Sequence, residues 1–122
     1  DLLEGRGVFR SPPATAPAAV TRVLDAVHAN PSRDWRAREL AALAGRSYSR
    51  LRDEFQRSQG VTLHAFLRST RLDLARSLLS DPRLAVKEVA RRLNFSSEHY
   101  FSHWFRHATG LSPTGFRARC RA

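Results

Sequence analysis

Two stretches of this chain repeat one another at a nearly fixed offset, and that repeat restricts the fold more than any other feature. Leu40-Ala41-Ala42-Leu43-Ala44-Gly45 precedes Ser47-Tyr48-Ser49-Arg50-Leu51-Arg52-Asp53-Glu54-Phe55. Val89-Ala90-Arg91-Arg92-Leu93-Asn94 precedes Ser97-Glu98-His99-Tyr100-Phe101-Ser102-His103-Trp104-Phe105. Ala41 and Ala90 lie 49 residues apart, as do Gly45 and Asn94. Ser47 and Ser97, Leu51 and Phe101, and Phe55 and Phe105 lie 50 apart, so the second turn is one residue longer. Each position has a physical reason. A small alanine lets two helices cross closely, and Gly45 or Asn94 takes the left-handed conformation that turns the chain. The serine accepts from free amides at the start of the next helix. Two apolar residues four apart then pin that helix to a core. This is the logic of a helix-turn-helix, whose second helix enters the major groove of duplex DNA.

The rest of the chain reads as helix too. Val20, Val23, Leu24 and Val27 repeat at helical spacing before Asn30-Pro31. A short helix is expected over 36–44 and a third over 47–59, with Gly60 as its exit. Thr62 opens a long one to about 80, carrying Phe66, Leu72, Leu74, Ala75, Leu78 and Leu79. A fifth is expected over 86–93 and a sixth from Ser96 or Ser97 to Thr109. Ser112-Pro113 starts a short last helix through Phe116, with the serine as cap and the proline at the first helical position. No alternating strand pattern is present. The expected fold is all-α, about seven helices forming two helix-turn-helix subdomains joined by a long central helix. The first helix-turn-helix spans about 36–59, the linking helix about 63–80 and the second about 86–109, within one domain over 18–120. Residues 1–17, with Ser11-Pro12-Pro13-Ala14-Thr15-Ala16-Pro17, read as a linker or tail.

Charge narrows the partner. Twenty-one basic residues against eleven acidic ones give +10 in 122 residues, a balance that favours polyanions. Lys87 is the only lysine. A membrane surface would need a helix with an exposed apolar face, whereas these helices can bury their apolar faces against one another. No apolar run approaches the ~18–20 residues that span a bilayer, and the first thirty residues lack a signal-peptide layout. A single cysteine, Cys120, allows no internal disulfide and suits a reducing cytoplasm. The chain begins at Asp1 and holds no methionine, as expected of a fragment or a trimmed form, with partner domains then lying outside it.

Helical projection separates core from surface. Phe101, Trp104, Phe105 and Ala108 share one face of the sixth helix, with His99, His103 and Arg106 opposite and Ser102 beside them. In the third helix Leu51 and Phe55 point inward with Tyr48 alongside, while Ser49, Asp53 and Gln56 point out, flanked by Arg52. The outward sets suit phosphates and base edges, and Asp53 can accept from cytosine N4.

At this point the sequence resembles the AraC/XylS family of bacterial transcription regulators over roughly residues 20–118. Leu93-Asn94-Phe95-Ser96-Ser97-Glu98-His99-Tyr100-Phe101-Ser102-His103-Trp104-Phe105-Arg106 carries most of the likeness, continuing into Thr109-Gly110-Leu111-Ser112-Pro113 and Phe116-Arg117. The first half matches more loosely through Leu40-Ala41, Gly45, Ser47, Leu51, Phe55, Gly60, Phe66, Arg71-Leu72, Ala75 and Leu78-Leu79. The resemblance implies sequence-specific binding of double-stranded DNA in transcription regulation, by two recognition helices in adjacent major grooves. It places base-facing residues at Ser49, Arg52 and Asp53 in the first unit and at Glu98, His99, Ser102 and His103 in the second. It further implies RNA polymerase as a partner, an effector or dimerisation domain outside this chain, and a cytoplasmic, nucleoid-associated location. Asn94 stands where the family has glycine. Arg36 and Ala85 stand near its usual Ser/Thr caps, so the second and fifth helices are expected to start raggedly, each losing about 1 kcal/mol.

Other chemistries fare worse. His99, His103 and His107 recur every four residues, but a metal needs three or four ligands, and His107 is rotated about 40° from His103 around the helix. No metal or cofactor is expected. An enzyme is not expected either, for want of a P-loop, dinucleotide turn, nucleophile elbow or HExxH helix. The competing reading is a basic protein-interaction or RNA-binding helical module, although the deep A-form groove of RNA excludes helices.

Overall fold

The computed structural model describes residues 17–121, so most of the segment read as a tail lies outside the described residues. Among those described there are seven helices and no strands: α1 (Ala18–Ala29), α2 (Ala37–Ala44), α3 (Tyr48–Gln59), α4 (Leu63–Leu79), α5 (Val86–Arg92), α6 (Glu98–Thr109) and α7 (Pro113–Arg121). No helix among the described residues is long and apolar enough to cross a membrane. The chain divides into two compact units, one reaching to Ala26 and including Arg36–Leu63, the other made of Val27–Trp35 and the chain from His64 onward.

In the first unit α2 packs on α3. Leu40, Ala41 and Ala44 of α2 and Leu51 and Phe55 of α3 are buried, as are Val20, Val23 and Leu24 of α1. The turn between α2 and α3 closes as the sequence predicts. Gly45 sits at φ 71°. Its N–H donates to Ala42 O at 3.2 Å, and Arg46 N–H reaches back to Ala41 O at 3.0 Å, the double bond of a Schellman stop. Ser47 Oγ then accepts from Arg50 N–H at 3.1 Å and caps α3.

The second unit repeats this bond for bond. Asn94 is the non-glycine residue at positive φ among those described, at 64°. Its N–H donates to Arg91 O at 3.0 Å and Phe95 N–H to Ala90 O at 3.0 Å. Ser97 Oγ accepts from Tyr100 N–H at 3.0 Å, which settles the choice between Ser96 and Ser97 as cap. The repeat also runs further than the sequence reading took it. Gly60 and Gly110, 50 apart, both end their helices left-handed, at φ 79° and 84°. Leu63 and Pro113 follow at the same offset, and both are buried.

The second core gathers Leu72, Ala75 and Leu79 of α4, Val89 and Ala90 of α5, Leu93, and Phe101 and Phe105 of α6, with Phe95, Trp104 and Phe116 partly buried against it. Trp104, expected in the core beside Phe105, is only half-buried. Two arginines tie the connections down. Arg71 of α4 donates to Leu93 O at 2.6 Å, pairs with Asp34 at 3.3 Å, and lies 4.3 Å from the Phe95 ring centre. Arg117 of α7 donates to Leu79 O at 2.9 Å and so satisfies a carbonyl at the C-terminus of α4.

The uncapped starts differ from one another. Arg36 N–H is met by the Glu39 carboxylate at 3.3 Å, half of a capping box, so α2 starts more firmly than its arginine suggested. Ala85 offers no side-chain cap, and α5 opens on a tight turn in which Glu88 and Val89 both donate to Ala85 O.

Candidate nucleic-acid interface

Each unit presents one helix with a buried stripe and a polar outer face. On α3, Leu51 and Phe55 are fully buried, while Ser49, Arg52, Asp53 and Gln56 are all exposed. On α6, Phe101 and Phe105 are fully buried, Glu98, His99, His103 and Arg106 are exposed, and Ser102 is half-buried. The four-residue spacing of the apolar positions thus rotates every one of the nine sequence-predicted residues away from its core. Within each helix the structure brings them onto one accessible face.

The electrostatics of the two faces differ. On α3, Glu54 is nearly covered, and it accepts from Arg46 at 3.1 Å and Arg50 at 3.3 Å. Burial pushes its carboxyl up, but hydrogen bonds from Arg46 and then Arg50 outweigh this and leave it below the ordinary 4.5. Those two cations are therefore held along the helix. Arg52 sits 3.9 Å from Asp53, at the outer limit of an ion pair. It also lies 5.6 Å from the centre of the Tyr48 ring, which Arg38 of α2 approaches at 5.3 Å.

On α6 the outer face holds one permanent cation, Arg106, one acid, Glu98, and three imidazoles. The rings of His103 and His107 stack with centres 6.4 Å apart and planes 11° from parallel. Among the described residues no group of three His, Cys, Asp or Glu side chains is placed to hold a metal ion. Behind this face, Phe95 of the turn contacts Tyr100, Phe101 and Trp104 at 5.1–6.0 Å between ring centres. The start of α6 is thus braced by aromatic packing as well as by its serine cap.

Two features escaped the sequence. Tyr48 was placed beside the core stripe, yet its ring is where Arg38 and Arg52 meet. Tyr100, inside the most family-like stretch, is 57% exposed. Its position on the helical wheel, between half-buried Trp104 and outward His103, was the available signal.

Known proteins resemble this arrangement. Residues 40–119 match the family described as a helix-turn-helix domain. The arabinose operon regulatory protein of Salmonella typhimurium is 36% identical over 74 residues, covering 61% of this chain and 26% of that protein. The transcriptional activator RhaR of Klebsiella pneumoniae is 31% identical over 105 residues, covering 86% of this chain and 37% of that one. The chain therefore spans about a quarter to two-fifths of the curated relatives named. The C-terminal domain of AraT, a response regulator from Geobacillus stearothermophilus, superposes with a TM-score of 0.76 at 25% identity, covering 87% of this chain and 88% of that one. The DNA-binding domain of AdpA, solved in complex with a target DNA, superposes at 0.74 with 27% identity, covering 86% and 95%.

Proposed function

This chain belongs to the AraC/XylS family of bacterial transcription regulators, and from that premise we propose that it binds duplex DNA sequence-specifically, reading bases with α3 and α6 in adjacent major grooves. The observation that carries the reading is the doubled helix-turn-helix, in which each second helix is capped, pinned by two buried apolar residues and open on its other face. Ser49, Arg52, Asp53 and Gln56 form the first reading set. Glu98, His99, Ser102, His103 and Arg106 form the second. The net charge of +10 supplies the sequence-independent attraction to phosphates. In the longer protein this domain would act beside an effector or dimerisation domain, in the cytoplasm at the nucleoid, with RNA polymerase as a protein partner.

Selection of bound sequences from a random duplex pool tests this directly. The wild-type chain is expected to enrich a site without a palindrome, holding two separate patches of preferred bases. Arg52→Ala should relax one patch and His103→Ala the other, each by about 1–3 kcal/mol of discrimination. If both variants blur the same base pairs, or neither alters the preferred sequence, the two helices do not divide the reading.

A further inference from the structure

Three arginines, Arg46 of the turn and Arg50 and Arg52 of α3, are held in two different ways. Arg46 and Arg50 are bound through their N–H groups to the Glu54 carboxylate. Arg52 lies instead 5.6 Å from the Tyr48 ring centre, inside the ~6 Å range in which a guanidinium is attracted to an aromatic face. The difference matters chemically. The carboxylate takes the Nε–H donor of each of those two guanidinium groups and anchors it, whereas a ring attracts the cation as a whole and takes up no N–H donor. Arg38 lies 5.3 Å from the same ring and carries like charge, so it disfavours Arg52 folding back across the ring toward α2. Asp53, at 3.9 Å, is too distant to take a hydrogen bond from Arg52.

We propose that Tyr48 is a positioning residue that presents the guanidinium of Arg52 to a guanine. The fork of N–H groups matches guanine O6 and N7, the commonest specific arginine contact in the major groove. The second unit has no counterpart: at the 50-residue offset Glu98 stands where Tyr48 is and Ser102 where Arg52 is. A guanine held this way therefore belongs to only one of the two patches. The inference rests on α3 being a reading helix and adds what that helix reads and how it is prepared to do so.

The test uses the duplex enriched by the wild-type chain and a copy in which the guanine lost on Arg52→Ala selection is replaced by adenine. The quantity read is the ratio of the two dissociation constants, measured by fluorescence anisotropy, with a thermal melt of each variant alongside. Arg52→Ala should bring the ratio close to one. Tyr48→Leu should lower it about two- to five-fold, the size of an exposed cation–π contact, and Tyr48→Phe should retain it because the ring face persists. Tyr48→Gln supplies a second ringless variant should the leucine form fail to fold. An unchanged ratio in the ringless variants overturns the proposal. So does a Tyr48→Phe ratio as low as that of Tyr48→Leu, which would assign the effect to the phenol hydroxyl. So does a selection in which Arg52→Ala alters no guanine. A wild-type chain that enriches no sequence at all removes the reading function itself, and the proposal with it.

Discussion

Asn94 shows how a single residue carries a fold-level requirement. The turn between α5 and α6 needs a left-handed residue, and Asn94 supplies it at φ 64° where the matching turn uses Gly45. Its side chain adds a second task, donating from Nδ2 to Ser32 O at 2.9 Å. Asn94→Ala is therefore expected to cost about 1–2 kcal/mol for the left-handed backbone, with the lost hydrogen bond added. Asn94→Gly should lose only the side-chain bond. Urea unfolding of both variants checks this, and equal losses would show that the backbone angle is not what the site demands. The left-handed turn was legible because Asn follows Gly in tolerance for that conformation. The bond to Ser32 was not, since 62 residues separate the partners and no local pattern links them. The same holds for Arg38 at the Tyr48 ring, a contact made between two helices.

At the scale of elements, α6 was read almost completely from its spacing. Phe105→Ala is expected to cost roughly 3–5 kcal/mol, because the ring is fully buried against Phe101 and Phe116. His99→Ala, on the exposed face, should leave the melting temperature nearly unchanged. Thermal melts of the two variants compare them, and similar losses would mean that the helix faces the other way. Trp104 marks the limit of the method: a helical wheel gives direction but not depth. Helix ends were less legible than faces. The last helix continues to Arg121, past Phe116, through residues with neither apolar periodicity nor a stop signal. Short α5 depends on its own charges. Hydrogen bonds from Arg91 and then Arg92 hold the Glu88 carboxyl at about 2, against an ordinary 4.5. A carboxyl lowered in the folded state stabilises it above the ordinary value, and that contribution is lost as pH falls from 4.5 toward 2. Glu88→Gln should therefore flatten the acid limb of stability across that window, measured by urea unfolding at a series of pH values. An acid limb as steep as the wild-type one would show that the Arg91 and Arg92 contacts do not stabilise the fold.

For the whole molecule the governing quantity is the net charge of +10. Each phosphate neutralised should contribute about −0.9 to the slope of log affinity against log salt, and roughly 5–8 contacts are expected for a domain of this size. Fluorescence titrations with the selected duplex across salt concentrations should then give a slope of about −4.5 to −7. A slope near zero, or equal preference for single-stranded RNA, would contradict duplex reading. The two-unit organisation was legible because one pattern occurs twice in a basic chain, and a second occurrence at matched spacing is hard to obtain by accident. Of its later members, Gly60 and Gly110 are the same residue at the same offset and were open to the same reading, whereas Leu63 with Pro113 was not, because the two share burial and not residue type.

That duplication has copied a frame without copying its surface. The turn hydrogen bonds, caps and exits of the two units coincide, while Ser49, Arg52 and Asp53 on one outer face answer to His99, Ser102 and His103 on the other. A symmetric dimer of identical reading heads cannot tell one end of its site from the other. A single chain bearing two unlike heads can, so the site it favours has a left and a right. Reversing that site on the DNA would turn the bound chain end for end, and with it the direction in which anything joined to the chain faces along the double helix.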